Sequence, residues 1–548
     1  MGHGPRDMET SARVTSAFFG RKELWELFEK RRDAFLKGYR QNIGILGAPL
    51  LGKTSLVRAF ASKMQSFEQV IAIFFSCRPS DSFQWFSQRW MGELLLGFHR
   101  TLGQSPPANL QILIRSLKGV IPKTLKQMRL TKSLTMAHRH DQAYRELLAL
   151  SGTLAEECRK KILLVLDNFD RLEELGLADC FIALGKEIMV QKETMYVVTT
   201  SHLNRGRAIF QEKLSLLFGN FEVIQMMPFR FDEAAQFMSE RAPSSTWDDQ
   251  VKRFLIRLTD GHPYYLACLL DRLARFAGDG RLLRAQIAQA LEEELYQETG
   301  FLGQYFQSRL YRFADSRPWN RYGDVLLAIS LGHKKLSQMI RFLHWKGREV
   351  KRILEGLLSS EAIEKHGSLF VIPDPLFRFW LAKVYYGRRV FFDSLHDSTR
   401  AGFLSCVEQG FEESAREDSL ELPKQIEELF RRFRNDVVQL DQRRFVCSHF
   451  TEVVSRPNNG RVFPVTAKSD RTRWLCQVLR GQVLEEDVRV FLEDLKRLRG
   501  PVQKKLIVGL GGIDLNAKLL AQEAQIQYLD LRSLNLLLDI YDRPKVVV

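Results

Sequence analysis

The sequence predicts an α/β fold built on a parallel sheet, and three observations predict it. Short apolar runs alternate with longer helical patterns, as strands covered on both faces do. The first run, Asn42 to Leu46, leads into Gly47-Ala48-Pro49-Leu50-Leu51-Gly52-Lys53-Thr54-Ser55. A later run, Lys161 to Leu166, ends in the acid Asp167.

The glycine-bounded stretch reads G-x-x-x-x-G-K-[ST], the phosphate-binding P-loop, here set between a strand and a helix. Gly47 and Gly52 permit the turn, and Ala48, Pro49, Leu50 and Leu51 carry the chain around the phosphates. Lys53 reaches the β- and γ-phosphates and Thr54 places its hydroxyl on Mg²⁺. Ser55 begins a helix with Leu56, Phe60 and Met64 on one face. Its N-terminal dipole adds to the anion site.

Bulk properties narrow the field. At 548 residues, with 45% hydrophobic and 27% charged, the chain has room for three or four globular domains. No apolar run approaches the ~18 residues of a membrane span. The first fourteen residues have no apolar core, and Met1-Gly2-His3-Gly4 lacks the rest of a myristoylation signal. Seven cysteines occur singly with no C-x-x-C, against both a disulfide framework and a zinc site, so the expected compartment is cytoplasmic. A net charge of +16 suits a polyanionic partner and equally an ordinary basic protein.

Taken in order, Phe18-Phe19-Gly20-Arg21-Lys22-Glu23-Leu24 opens a helix that either covers an adenine or is simply a helix start. Val70 to Ser76 is a second buried strand, and a helix follows from Ser82 to Thr101. From Leu94 to His140 there is no Asp or Glu, while Arg100, Arg115, Lys118, Lys123, Lys126, Arg129, Lys132 and Arg139 are present. This is either a solvated basic face or a contact for a phosphate backbone or acidic partner. The strand ending at Asp167 has the Walker B pattern, which sets the acid beside the P-loop to help hold Mg²⁺. Asn168 follows where hydrolytic P-loop proteins carry Glu, and Asn cannot take a proton. Asp170 either substitutes for it or caps the next helix. Met195 to Ser201 is a further strand. Its terminal hydroxyls, Thr200 or Ser201, either sense the γ-phosphate or satisfy the strand end. Arg205 or Arg207 either supplies charge to the transition state or lies on a solvated loop. Gly261 ends one helix, and His262-Pro263 starts another near which a nucleotide could be sensed.

On Gly20-Arg21 with Glu23, the P-loop, Asp167, the strand to Ser201 and Gly261-His262-Pro263, the chain from Phe19 to about Leu273 resembles the archaeal-ATPase-type STAND P-loop ATPases, relatives of AAA+ proteins. The resemblance implies a five-stranded parallel sheet, ATP and Mg²⁺ as cofactors, a helical lid, and nucleotide state used as a switch. With the residue readings above, the expected catalytic residues are Lys53, Asp167, Asp170, Ser201 and Arg205. The resemblance implies Gly20, Arg21, residues 47–55, His262 and Pro263 as nucleotide-binding, and Thr54 and Asp167 as metal-holding. Asn168 departs from the pattern and points to slow turnover.

Further on, Asn320 to Leu331, Lys334 to Leu343 and Arg348 to Ser359 read as three helices. Ala362 to Ile372 reads strand, turn, strand, completing a winged helix-turn-helix. Ile372-Pro373-Asp374-Pro375-Leu376-Phe377-Arg378-Phe379-Trp380-Leu381 resembles the segment that closes this domain in the same family. Arg348, Lys351 and Arg352 would face DNA if it is a reader; otherwise it is a regulatory lid. From Leu404 to Arg543 the pattern resembles the restriction-endonuclease-like domain at the C-terminus of such ATPases. That fold needs an Asp on one strand and Glu-x-Lys on the next. Here Pro464, Gln477 and Leu479 occupy those places, with Asp470, Glu485, Glu486 and Asp487 as the nearest acids.

The expected organisation is residues 1–225, ATPase core; 226–315, helical lid; 316–400, winged helix; 401–548, an inactive nuclease-like α/β domain. The expected function is an ATP-dependent molecular switch. Its alternatives are a DNA-processing or defence ATPase and a scaffold that binds ATP without hydrolysis. Expected partners are ATP, DNA through the basic segments and winged helix, a protein partner and further copies of the chain in a homo-oligomer, with no membrane.

Overall fold

The computed structural model describes residues 19–547 except 80, 104–108, 216–218, 243–247, 277–282, 313–319, 391–395, 441–442, 457–463, 470–471 and 498–499. Asp470 and Phe18 therefore lie outside the described residues. Two compact units divide the chain, Met1–Pro228 and Phe229–Val548.

The first unit is organised by β1 (Asn42–Leu46), β2 (Val70–Ser76), β3 (Lys161–Asp167), β4 (Thr194–Thr200) and β5 (Phe221–Gln225). They form one parallel sheet in the order β2-β3-β4-β1-β5. Side chains alternate across it. On β3, Leu163 and Val165 join a core with Leu56, Phe60 and Met64 of helix Lys53–Gln65. Ile162, Leu164 and Leu166 face the other way, onto helices Phe83–Arg100 and His140–Cys158. Covering both faces is why β1, β3 and β4 are almost wholly buried. Ser82 caps Phe83–Arg100 by accepting from the Trp85 N–H. β5 has no apolar run of its own. As an edge strand it is only half-buried and carries Glu222, so nothing in Phe221–Gln225 announces it.

The crossover from β2 to β3 holds two more helices, Leu110–Ser116 and Pro122–Met136. Leu113, Leu117, Ile121, Leu125 and Met128 enter the core from it. The sheet order places β4 between β1 and β3, so the P-loop, Asp167 and the end of β4 meet at one edge. An open α/β sheet binds its ligands at such a carboxyl edge. This α/β architecture is that of a P-loop NTPase.

The second unit begins with helices, among them Phe231–Arg241, Asp249–Thr259 and Pro263–Leu273. Helices Asn320–Ser330, Leu336–Leu343 and Gly347–Ser359 precede an antiparallel hairpin of β6 (Glu364–His366) and β7 (Leu369–Val371). β8 (Asp436–Leu440) and β9 (Arg443–Cys447) form a second hairpin. A mixed sheet follows, β10 (Glu452–Ser455), β11 (Val465–Lys468), β12 (Arg473–Leu479), β13 (Lys504–Gly509) and β14 (Ile526–Asp530), paired in that order. Its first two pairings are antiparallel and its last two parallel. Trp474, Cys476 and Val478 face one core and Leu475 the other. No helix among the described residues is long and apolar enough to cross a membrane.

Candidate phosphate-binding site

Gly52 takes φ 93°, a left-handed conformation open to glycine, and closes the loop onto helix Lys53–Gln65. Leu50 at φ 61° has no such freedom, and the left-handed region costs an L-residue about 1–2 kcal/mol. Ala48, Pro49 and Leu50 are exposed, while Gly47 and Leu51 are buried. Gly47 N–H donates to the Thr200 carbonyl at 3.3 Å, which ties the loop to the end of β4.

Lys53 is only 4% exposed, and its Nζ donates to the carbonyls of Gly47 (2.9 Å) and Ala48 (2.7 Å). Burial pushes its pKa down to about 8 against the opposing charges of Asp167 and Asp170. It is a cation held under the loop by bonds that a phosphate could replace.

Thr54 Oγ donates to both oxygens of Asp167, at 3.1 and 3.0 Å. Asp167 is buried, and Thr199 donates to its Oδ1 at 2.5 Å. The pairing Leu166↔Val198 sets Thr199 beside Asp167 one step further on. Thr199 also accepts the Asn168 N–H at 3.2 Å. Thr200 and Ser201 are the hydroxyls the sequence offers for the γ-phosphate; the hydroxyl on the acid itself is a third one, Thr199, for which the sequence carries no signal. The choice between two adjacent threonines needed the β3–β4 register. Ser201 lies just past β4 and is half-buried.

Asn168 sits at φ 55°, ψ 45°, a left-handed position that Asn tolerates better than most residues. It occupies the N-cap of the short helix Phe169–Leu175, so Asp170 is not the cap of that helix. Asp170 is buried, with Oδ2 2.8 Å from His202 Nδ1. Burial pushes its pKa up, but hydrogen bonds from His202 and Thr200 and the charges of His202 and Arg205 hold it below the ordinary value. His202, like Thr199, was not singled out from sequence; a lone histidine two residues past a strand carries no signal of its own. Arg205 donates through Nε (3.1 Å) and Nη2 (2.8 Å) to Glu173.

Gly20 lies at φ 68°, followed by buried Arg21, which caps helix Lys22–Leu36 and donates to the Pro228 carbonyl at 3.4 Å. Ser55 is exposed on helix Lys53–Gln65. His262 and Pro263 belong to the second unit, at the start of helix Pro263–Leu273. A Cβ on Gly261 would meet the Phe229 carbonyl oxygen at 2.2 Å, so only glycine fits that turn. His262 stacks on Tyr265 with ring centroids 3.9 Å apart. The Tyr265 hydroxyl donates to Asp374 at 2.7 Å, and Arg309 bonds the same carboxylate at 2.7 Å.

The chain matches no protein-family model and no curated protein. Among solved structures it is similar to a Walker-type ATPase of Pyrococcus abyssi, at 18% identity over 66% of this chain and 96% of that one, with a TM-score of 0.47. It is also similar to the ORC2 protein of Aeropyrum pernix in ADPNP–ADP complexes, at 12% identity over 73% and 99% of the two chains, TM-score 0.41. A third is the Aeropyrum pernix ORC1 protein in complex with DNA, at 14% identity over 68% and 95%, TM-score 0.38. All three TM-scores lie below 0.5.

Proposed function

We propose that the chain is an ATP-binding molecular switch that hydrolyses ATP slowly. The observation that carries this reading is the convergence of Lys53, Thr54 and Asp167 at the carboxyl edge of the parallel sheet. A buried cation bonded, among the described residues, to loop carbonyls alone suits an arriving polyphosphate. The donor set fits Mg²⁺: Thr54 and Asp167 would hold the ion, which offsets phosphate charge. Thr199 helps orient Asp167 through its bond to Oδ1. Asn168 can orient a water but cannot accept its proton. Asp170 and Arg205 remain the groups for proton transfer and transition-state charge, and Ser201 remains the γ-phosphate sensor. Adenine covering by Gly20 and Arg21, and nucleotide sensing by His262 and Pro263, belong to the same proposal.

Output runs through two parts of the second unit. Helices Asn320–Ser330, Leu336–Leu343 and Gly347–Ser359 with the β6–β7 hairpin are a winged helix acting as a lid, following the STAND resemblance. Residues 401–548 are a nuclease-like domain without its chemistry. The pairing Val465↔Cys476 sets Pro464 beside Gln477, so the places for two carboxylates are adjacent but hold none. Leu479, in the lysine place, packs against an apolar core. Glu485 pairs with Arg489, and Asp487 accepts the Leu484 N–H, so these acids serve a helix start. Plasmid incubated with the protein and Mg²⁺ or Mn²⁺ is expected to stay intact. Cutting that disappears in Glu486→Gln would show an active nuclease.

The test of the switch is steady-state ATP turnover of wild type and Asn168→Glu. Wild type should bind ATP and turn over slowly. Asn168→Glu should raise the rate at least ~10-fold, part of the ~10²–10⁴ that a well-placed base supplies. It does so despite the ~1–2 kcal/mol left-handed penalty at that position. Absence of ATP binding by wild type, or an unchanged rate in Asn168→Glu, would overturn the reading.

A further inference from the structure

The stretch from Leu94 to His140, devoid of Asp and Glu, lies in the β2–β3 crossover. Arg100, Arg115, Lys118, Lys123, Lys126, Arg129, Lys132 and Arg139 are all exposed. None of the eight forms an ion pair among the described residues, whereas Arg257, Arg272, Arg378 and Arg543 elsewhere are all bound to carboxylates. Helix Pro122–Met136 shows the arrangement best. Thr124, Leu125, Met128, Thr131 and Thr135 are buried, while Lys123, Lys126, Arg129 and Lys132 recur every third residue in solvent. Each step is about 4.5 Å along the axis.

The acids that bond to this helix, Glu157 and Glu146 of His140–Cys158, are held by its backbone and polar side chains rather than by its cations. Glu157 accepts from Lys123 N (2.7 Å), Thr124 N (2.8 Å) and the Thr124 hydroxyl (2.7 Å). Glu146 accepts from Gln127 at 3.0 Å. Among the described residues the positive charge therefore has no ion-pair counterpart beyond the field of Glu157 at Lys123, and holding several like charges on one short helix is unfavourable without an external one.

We propose that this face binds the phosphodiester backbone of a nucleic-acid duplex without reading its sequence. Lysine and arginine as the recurrent exposed groups position a protein on phosphates, while base readout needs a different set of donors and acceptors. A membrane surface fits less well. An interfacial helix buries its apolar face in lipid, and the apolar face here is spent on the protein core. Leu130 and Met136 are the exposed apolar side chains left on this helix.

The test is binding of the full chain, without nucleotide, to labelled 20-base-pair duplexes of DNA and of RNA across a salt series. Wild type should bind both with affinity that falls steeply with salt, about 0.9 in slope for each phosphate neutralised. The triple variant Lys123→Glu, Lys126→Glu, Arg129→Glu should lower that slope by about 3 while keeping the wild-type thermal midpoint, and Lys53→Ala should bind as wild type does. A slope lost in Lys351→Glu, Arg352→Glu but retained in the triple variant would overturn the assignment. So would an absence of salt-dependent binding, or tighter binding to phosphatidylserine vesicles or to poly-glutamate than to either duplex. ATP binding is read separately, so failure here leaves the switch reading standing, and the reverse.

Discussion

Lys53→Ala is expected to weaken ATP binding by at least ~10²-fold, measured as anisotropy of a fluorescent ATP analogue. In the free protein the ammonium donates to two loop carbonyls. Phosphate oxygens offer stronger, charge-assisted acceptors, worth about 1.5–3 kcal/mol for each bond to a charged group. Losing one or two such bonds gives the expected loss. The variant should still fold, because the substitution removes a buried charge. Unchanged ATP affinity would refute the assignment of the loop. The same lysine predicts a pH dependence. With its pKa lowered to about 8, it is charged below that pH and increasingly neutral above it. ATP affinity should therefore fall as pH rises through about 8, and Lys53→Ala should lose that dependence. For stability the sign runs the other way. The charged form is penalised in the fold, so stability from this group rises as pH climbs from about 8 toward its ordinary value of 10.5.

Arg378→Ala is expected to destabilise the protein by about 3–5 kcal/mol, read from urea unfolding of the full chain. Arg378, in helix Pro375–Trp380, bonds Asp539 in helix Leu531–Ile540. Their side chains are 16% and 9% exposed. Removing the arginine leaves a buried carboxylate with its main partner gone. Burial pushes the Asp539 pKa up, but Arg378, Lys545 and Lys334 together hold it below the ordinary value. Its contribution is thus present above the usual Asp range and lost as pH falls through the folded value. The double variant Arg378→Met, Asp539→Leu should recover most of the loss, since a buried pair is often replaceable by apolar side chains of similar volume. A loss under ~1 kcal/mol for Arg378→Ala would show the pair to be dispensable.

Lys334 extends the same cluster. It donates to the Ile540 carbonyl at 2.7 Å and pairs with Asp542 at 2.7 Å. Lys545 reaches Asp260 at 2.7 Å, directly before Gly261. Arg257 reaches Asp418 and the Lys545 carbonyl. These bonds join residues 100 to 300 positions apart in sequence and knit the helical, hairpin and C-terminal parts of the second unit into one body.

Much of the first unit was legible because its signals are local. The P-loop is a contiguous spacing of glycine, lysine and threonine. β1, β2 and β3 are written in uninterrupted apolar residues because parallel strands covered on both faces admit little else. Edge strands lack that constraint. β5 and β10 show mixed exposure, and pairing rather than composition makes them strands.

Local residue patterns suffice for the phosphate loop, the strand that ends in Asp167 and the excess of basic residues in the β2–β3 crossover. Each follows from chemistry within a dozen or so neighbouring positions. That Thr199 bonds Asp167, that His202 faces Asp170, and that Arg378 and Asp539 meet in the second unit emerges from the three-dimensional packing alone. Those choices depend on strand register and on contacts between distant elements, which residue spacing along one chain does not encode.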